Sequence, residues 1–214
     1  MRRLLTLGLT SIVCTLLLAC ANPADKAQKA IVSNVNSAAA ATPATAGERL
    51  EITPQNSKIT FTGSKVTGIE NGSFEKFTGT IELVGSDVEK SRVSIEIDLN
   101  SITTESKGLS DHLKSADFFD VQKFPKATFT STQIKAAGGS NAYQITGILD
   151  LHGVKKTITF PATIKVDPDS VSVNSEFSIN RKDFGIMYPG KANDLIRDEV
   201  LLKLAIKAPR TRHQ

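Results

Sequence analysis

At 214 residues, with 40% apolar and 22% charged side chains, the chain is sized for one domain with an appendage and is too apolar to be disordered throughout. Its 26 Lys and Arg exceed its 22 Asp and Glu, but Arg2, Arg3, Lys26, Lys29 and Asp25 all precede the globular part. From Glu48 onward 22 basic residues face 21 acidic ones, a balance that gives no ground for a nucleic-acid partner.

The chain opens on Met1-Arg2-Arg3 and an apolar run from Leu4 to Leu18, the charged start and hydrophobic stretch of a secretory signal. The run is shorter than the roughly 20 apolar residues needed to span a bilayer. Its end, Leu17-Leu18-Ala19-Cys20, resembles the lipobox of bacterial lipoproteins. That resemblance implies a signal over 1–19, acyl chains on Cys20, and anchoring in the bacterial envelope. Ala21, where inner-membrane retention would favour Asp, implies the outer membrane facing the periplasm. Cys14 and Cys20 are the two cysteines, so the mature domain is expected to have no disulfide and no cysteine metal site. Residues 21–47 hold ten alanines and almost no large apolar side chain. Residues 20–47 therefore read as a lipidated cysteine and a flexible tether, reaching about 30 Å as a random coil.

From Leu50 the hydrophobic period becomes two. Ile59 and Phe61 alternate with Lys58, Thr60 and Thr62, and Phe77, Ile81 and Leu83 with Thr78, Thr80 and Glu82. The same alternation runs through Val93–Leu99, Ala127–Ser131, Tyr143–Leu151, Ile158–Val166, Val171–Ile179 and Val200–Ile206. Turn signals separate the runs at Glu70-Asn71-Gly72, Gly138–Asn141, His152-Gly153 and Asp167-Pro168-Asp169. Eight half-wet strands predict an all-β domain over 48–208, an antiparallel eight-stranded barrel closed to hide its apolar face, with a basic tail over 209–214. An outer-membrane barrel is excluded by the charged outer face, short strands and missing aromatic girdles. The exception is Ser101–Pro125, where 106–115 predicts a short helix, with Ser110 or Asp111 near its start and Leu109 and Leu113 on one face.

The inward rows nominate a candidate apolar cavity: Ile59, Phe61, Phe77, Ile81, Val93, Ile95, Ile97, Phe129, Ile145, Leu149, Phe160, Ile164, Phe177 and Leu202. Phenylalanines alternate with small residues along these rows, Phe61 with Gly63 and Phe129 with Ala127 among them. That pattern fits a hollow interior and a filled, tapering one equally. Adjacent Phe118 and Phe119, with Leu113 and Phe124, are candidates for a lid over one barrel end, or for a fixed plug there. His112 beside Asp111, and near Asp117 and Asp120, is the best candidate for acid–base chemistry, but no nucleophile motif accompanies it and a structural hydrogen bond is preferred. His152 reads as a turn residue. No metal site and no cofactor is expected, and Asp183-Phe184-Gly185 lacks the glycine-rich loop that would accompany it in a kinase.

Three separated motifs carry a family resemblance. Ser101-Ile-Thr-Thr104 with Leu109-Ser-Asp-His-Leu-Lys-Ser-Ala-Asp-Phe-Phe-Asp-Val121 and Lys123-Phe-Pro125 is the first. Gly147–Lys156 and Phe177–Gly185 are the others. In this order they resemble YceI-like proteins from about Leu50 to Ile206, and Tyr188–Lys191 with Asp194–Glu199 is similar to a lipoprotein branch of that family. The resemblance implies a lipocalin-like barrel that is not an enzyme. It would bind or carry a polyisoprenoid-type lipid, an isoprenoid quinone or another long-chain amphiphile. The membrane would be reached through the N-terminal anchor, with a homodimer as an optional further state. The alternatives are a filled barrel serving as an envelope interaction module, and an enzyme centred on His112.

Overall fold

A computed structural model describes residues 22–35 and 47–210. Strands β1 (Gln28–Lys29) and β2 (Ile31–Asn34) precede β3 (Glu48–Ile52), β4 (Lys58–Lys65), β5 (Gly68–Phe74), β6 (Phe77–Val84), β7 (Asp87–Asp98) and β8 (Ile102–Thr104). Helix α1 (Lys107–Lys114) follows, then β9 (Lys126–Ala136), β10 (Ala142–Leu151), β11 (Val154–Val166) and β12 (Ser170–Asn180). A small hairpin of β13 (Gly190–Lys191) and β14 (Asp194–Leu195) leads into β15 (Glu199–Pro209). The eight strands predicted from alternation are β4, β6, β7, β9, β10, β11, β12 and β15.

Those eight form one antiparallel path, β6-β7-β9-β10-β11-β12-β15-β4, extended by β3 beyond β6 and by β5 and β8 beyond β4. The sheet curls until β3 returns beside β15. There the Arg210 guanidinium meets the Glu48 carboxylate at 2.8 Å, and the Lys207 amide donates to Ser57 Oγ at 3.1 Å. This is a lipocalin-like barrel with its apolar rows inside. Arg210 also donates to the Asp167 carbonyl, so the expected tail begins as part of the seam, and 211–214 lie outside the described residues.

Two local expectations are corrected. Glu70-Asn71-Gly72 is not a turn but the middle of β5, paired with Gly63, Thr62 and Phe61, and the chain reverses at Val66-Thr67. Helix α1 begins at Lys107, capped by Ser106, whose Oγ accepts from the Leu109 amide, so Ser110 and Asp111 lie in its middle. The buried Ser110 hydroxyl instead accepts from the Thr104 amide at 2.9 Å and ties the helix to β8.

The larger correction concerns the tether. Residues 22–35 are docked on the barrel: β1 pairs in parallel with β12, Gln28 opposite Phe177, and β2 pairs antiparallel with β11, Val32 opposite Ile158. Before them a 3-10 turn at Pro23–Asp25 packs on β4, β12 and β15 and leaves Ala24 with no exposed surface. Asn22 Oδ1 accepts from the Ala24 amide at 3.1 Å and from the Ser64 hydroxyl at 2.9 Å. The segment lies over outward-facing Ser178 and Leu201, both buried, and the Ala30 amide donates to the Ser178 carbonyl. Its apolar contribution is small, Ala24 buried and Ala30 and Val32 packed against the core, and strand pairing adds to it.

Candidate functional site

The barrel interior is divided along its axis. At the end where the β6–β7, β9–β10 and β11–β12 turns lie, the side chains of Ile81, Leu83, Val93, Ile134, Ile164 and Val173 close on one another and leave about 20 Å³. Toward the other end, where α1 and the 181–198 segment sit, the space opens into a cavity of about 370 Å³.

Nine of the fourteen nominated cavity residues line that space: Ile59, Phe61, Ile95, Ile97, Phe129, Leu149, Phe160, Phe177 and Leu202. Phe77, Ile81, Val93, Ile145 and Ile164 do not; they face inward but belong to the packed core, Ile81, Val93 and Ile164 bordering the small void. Sequence reasoning missed Phe74, Leu109, Ile158, Ile179, Ile186, Tyr188, Ile196, Val200 and Leu204 as lining. Of these, Ile158, Ile179, Val200 and Leu204 sit in predicted inward rows and were legible as such.

Aromatic rings form two separate clusters in the cavity wall. Phe160 stacks on Phe177 with centroids 4.3 Å apart and planes at 13°, and Phe129 lies 5.5 Å from Phe160. Across the cavity Phe61, Phe74 and Phe119 follow one another at 5.6 and 6.4 Å. Phe118, Phe119 and Leu113 of the nominated lid form the roof. Their loop is held by backbone bonds, the Phe119 amide donating to the Leu113 carbonyl and the Asp120 amide to the Ser115 carbonyl. Phe124 is corrected. Its ring sits 4.9 Å from the His152 ring, over Gly153 and outside the cavity. Gly153 has φ of 74°, and a Cβ there would run into that ring, so the turn requires glycine. His152, itself at φ 54°, donates from Nδ1 to the Phe184 carbonyl and fixes the turn, as its sequence position predicts.

Charged and polar groups lie at the mouth. Lys65 sits between Glu70 and Asp194 at 3.3 and 3.4 Å, and Thr67 donates to Asp194 from both its amide and its hydroxyl. These contacts fasten the β4–β5 turn to the β13–β14 hairpin. The Val66 amide adds a bond to the Leu195 carbonyl, and the Arg197 amide one to the Ser64 carbonyl. Asp194 is held below the ordinary aspartate pKa: loss of hydration works to raise it, and donation from Thr67 and the nearby Lys65 ammonium outweigh that.

Arg181, 5% exposed, braces the 181–198 segment by donating to the Ile186 and Arg197 carbonyls and to the Asp198 carboxylate. Burial draws its pKa down and the Asp198 charge opposes this. His112 Nε2 donates to Asp117 at 2.9 Å, with the Phe118 and Tyr188 rings edge-on at 5.1 and 5.0 Å. That arrangement pins the roof to the 185–190 segment, the structural role preferred for it. Among the described residues no three His, Cys, Asp or Glu side chains are placed to hold a metal ion. Cys20 lies outside the described residues.

The geometry offers an apolar recess with a polar rim, suited to burying hydrocarbon without many directed polar contacts. The YceI-like domain model matches residues 50–208. A UPF0312 protein of Pseudomonas putida is 35% identical over 132 residues, covering 59% of this chain and 68% of the relative. BcnA of Burkholderia cenocepacia has a similar structure, with a TM-score of 0.68 and 26% identity over 73% of this chain and 99% of that one. A polyisoprenoid binding domain from Saccharophagus degradans shares the fold at a TM-score of 0.63 and 19% identity, covering 77% of this chain and 99% of its own.

Proposed function

The chain belongs to the YceI-like family, and from that premise we propose that it binds one long apolar chain, a polyisoprenoid or isoprenoid quinone, in the recess beneath Phe118 and Phe119. The observation that carries this reading is the 370 Å³ cavity walled mostly by aliphatic and aromatic side chains, with Lys65, Glu70, Lys191, Asp194 and Arg197 at its mouth and the braced, buried Arg181 as a further charged group in its wall. Ligand cavities run from about 300 to 1,000 Å³, so this one takes part of a long chain and leaves the remainder at the mouth. Each CH₂ withdrawn from water contributes about 0.8 kcal/mol, enough for a buried length of chain to bind without a headgroup contact. The polyisoprenoid binding domain of Saccharophagus degradans, similar in fold, supports this class of ligand. The open half also sets the reading apart from a filled interaction module.

The protein is a lipoprotein of the bacterial envelope in this reading, cut before Cys20, acylated there, and held at the outer membrane facing the periplasm. Native mass spectrometry and lipid extraction of the chain purified from a bacterial host test the ligand. Co-purification of an isoprenoid or similar chain is expected. Lipid-free protein that also takes up no isoprenoid probe overturns the reading.

A further inference from the structure

The docked N-terminal segment fixes where a lipid on Cys20 would sit. Asn22 bonds to Ser64 at the end of β4, one residue before Lys65 at the cavity mouth. Cys20 precedes Asn22 by two residues, and two residues of chain span at most about 7 Å. An acyl anchor on Cys20 would therefore be joined to the docked segment near the mouth by two residues and not by a long tether.

The surface around the mouth is apolar. Of the six large hydrophobic side chains exposed among the described residues, four belong to this rim: Val66, Ile69, Met187 and Leu195, each 45–61% exposed. Val66 and Leu195 are neighbours through their backbone bond, Ile69 lies opposite Ser64, and Met187 stands between the cavity residues Ile186 and Tyr188. Lys65, Lys191 and Arg197 share the rim with Glu70 and Asp194. Exposed apolar side chains gathered at one opening mark a contact surface. The anchor point next to them says which surface it meets.

We propose that the mouth of the cavity faces the bilayer, with Val66, Ile69, Met187 and Leu195 seated in its interface, so that an apolar chain passes between membrane and barrel without crossing water. The inference rests on the reading of Cys20 as the lipid attachment and of the cavity as the chain site. It adds the orientation: the packed end, with the turns at Gly85-Ser86, 137–141 and 167–169, points away from the membrane. It also accounts for a cavity that takes only part of a long chain, since the remainder stays among lipid tails.

The test uses the full chain, processed and acylated in a bacterial host, then reconstituted into phosphatidylethanolamine–phosphatidylglycerol vesicles with brominated acyl chains. Leu195→Cys, Val66→Cys and, at the packed end, Ser140→Cys are each labelled with bimane; the acylated mature chain has no other free thiol. Quenching by the brominated lipid is expected at 195 and 66 and not at 140. Equal quenching at both ends, or none at 195 and 66 in a chain whose mass includes the acyl groups, overturns the orientation. A mature chain whose mass shows no acyl group overturns the anchor and the orientation with it. A second variant, V66D with L195D, changes only exposed side chains. It should slow transfer of an isoprenoid probe from vesicles by at least about tenfold, because two rim groups lose their apolar contact, with uptake from detergent solution unchanged. Equal slowing of both overturns the role of the rim, and failure of uptake by the unmodified chain overturns the chain-binding reading itself.

Discussion

The ring of Phe61 lies over Gly72, its directly opposite partner on the neighbouring strand β5. A Cβ on Gly72 would fall within that ring and 2.6 Å from the Thr103 carbonyl oxygen. Phe129 covers Gly147 on β10 in the same way, beside the register shift between Thr146 and Gly147. Gly72 and Gly147 thus each seat a ring from the next strand, and those two rings wall the cavity.

Gly72→Ala should therefore cost about 1–3 kcal/mol, since the ring or the strand must shift in a packed wall. Urea denaturation reads this as a lower midpoint at unchanged slope. Combining it with Phe61→Leu should recover part of the loss, because leucine does not reach the added methyl. A double variant no better than the sum of the two singles would show that the ring is not what Gly72 accommodates.

Leu202 sits between Phe61 and Phe177 in register and faces the open half, whereas Ile164 faces the packed half. Leu202→Trp should fill the recess and abolish uptake of an isoprenoid probe while the chain stays folded. Ile164→Ala should do the reverse, costing about 2–5 kcal/mol of stability and leaving uptake nearly intact. Calorimetric Tm and probe fluorescence, measured on both variants, separate the two halves of the barrel.

The contrast between these two residues also marks what could be read from sequence. Period-two alternation identifies the face a side chain takes, so the inward rows and all eight long strands were legible. It carries no information on position along the barrel axis: Ile81, Val93, Ile145 and Ile164 share a face with the cavity but pack its closed end, and Phe77, opposite cavity-lining Ile97, packs into the core beside the open half. Strand β5 was missed because Glu70-Asn71-Gly72 has hairpin-turn chemistry and its inward row of Glu70, Gly72 and Phe74 holds one large apolar side chain. Strands β1 and β2 were missed because the apolar stripe of this docked segment is only Ala30 and Val32, and pairing of its amides with the sheet supplies the rest of the hold. One signal for it was available: Val200-Leu201-Leu202 is apolar on both faces, which requires something to cover Leu201.

The bonds of Arg181 to Ile186, Arg197 and Asp198 hold the segment that forms one side of the mouth. Arg181→Lys keeps the charge but cannot span all three acceptors, and hydrogen bonds to charged groups are worth about 1.5–3 kcal/mol. Limited trypsin digestion should then cut faster at Lys191 and Arg197 than in the unaltered chain, before the barrel as a whole unfolds. Unaltered cleavage at both sites would mean that β13 and β14 are held without Arg181.

Asp194 joins the hairpin to the β4–β5 turn through Thr67 and Lys65, and its pKa is lowered in the folded chain. A carboxylate whose folded pKa lies below its unfolded value adds stability that is complete above the unfolded value, about 3.9, and lost as pH falls through the folded one. The hairpin should therefore stay latched from neutral pH down to about pH 4 and loosen below it. A bimane label at Asn193→Cys should report this as a fall in anisotropy on acidification. Asp194→Asn still offers an oxygen to Thr67 and has no proton to gain in this range, and Lys65 retains Glu70. That variant should hold the hairpin at neutral pH and lose the acid transition, whereas an unchanged transition would place the titrating group elsewhere.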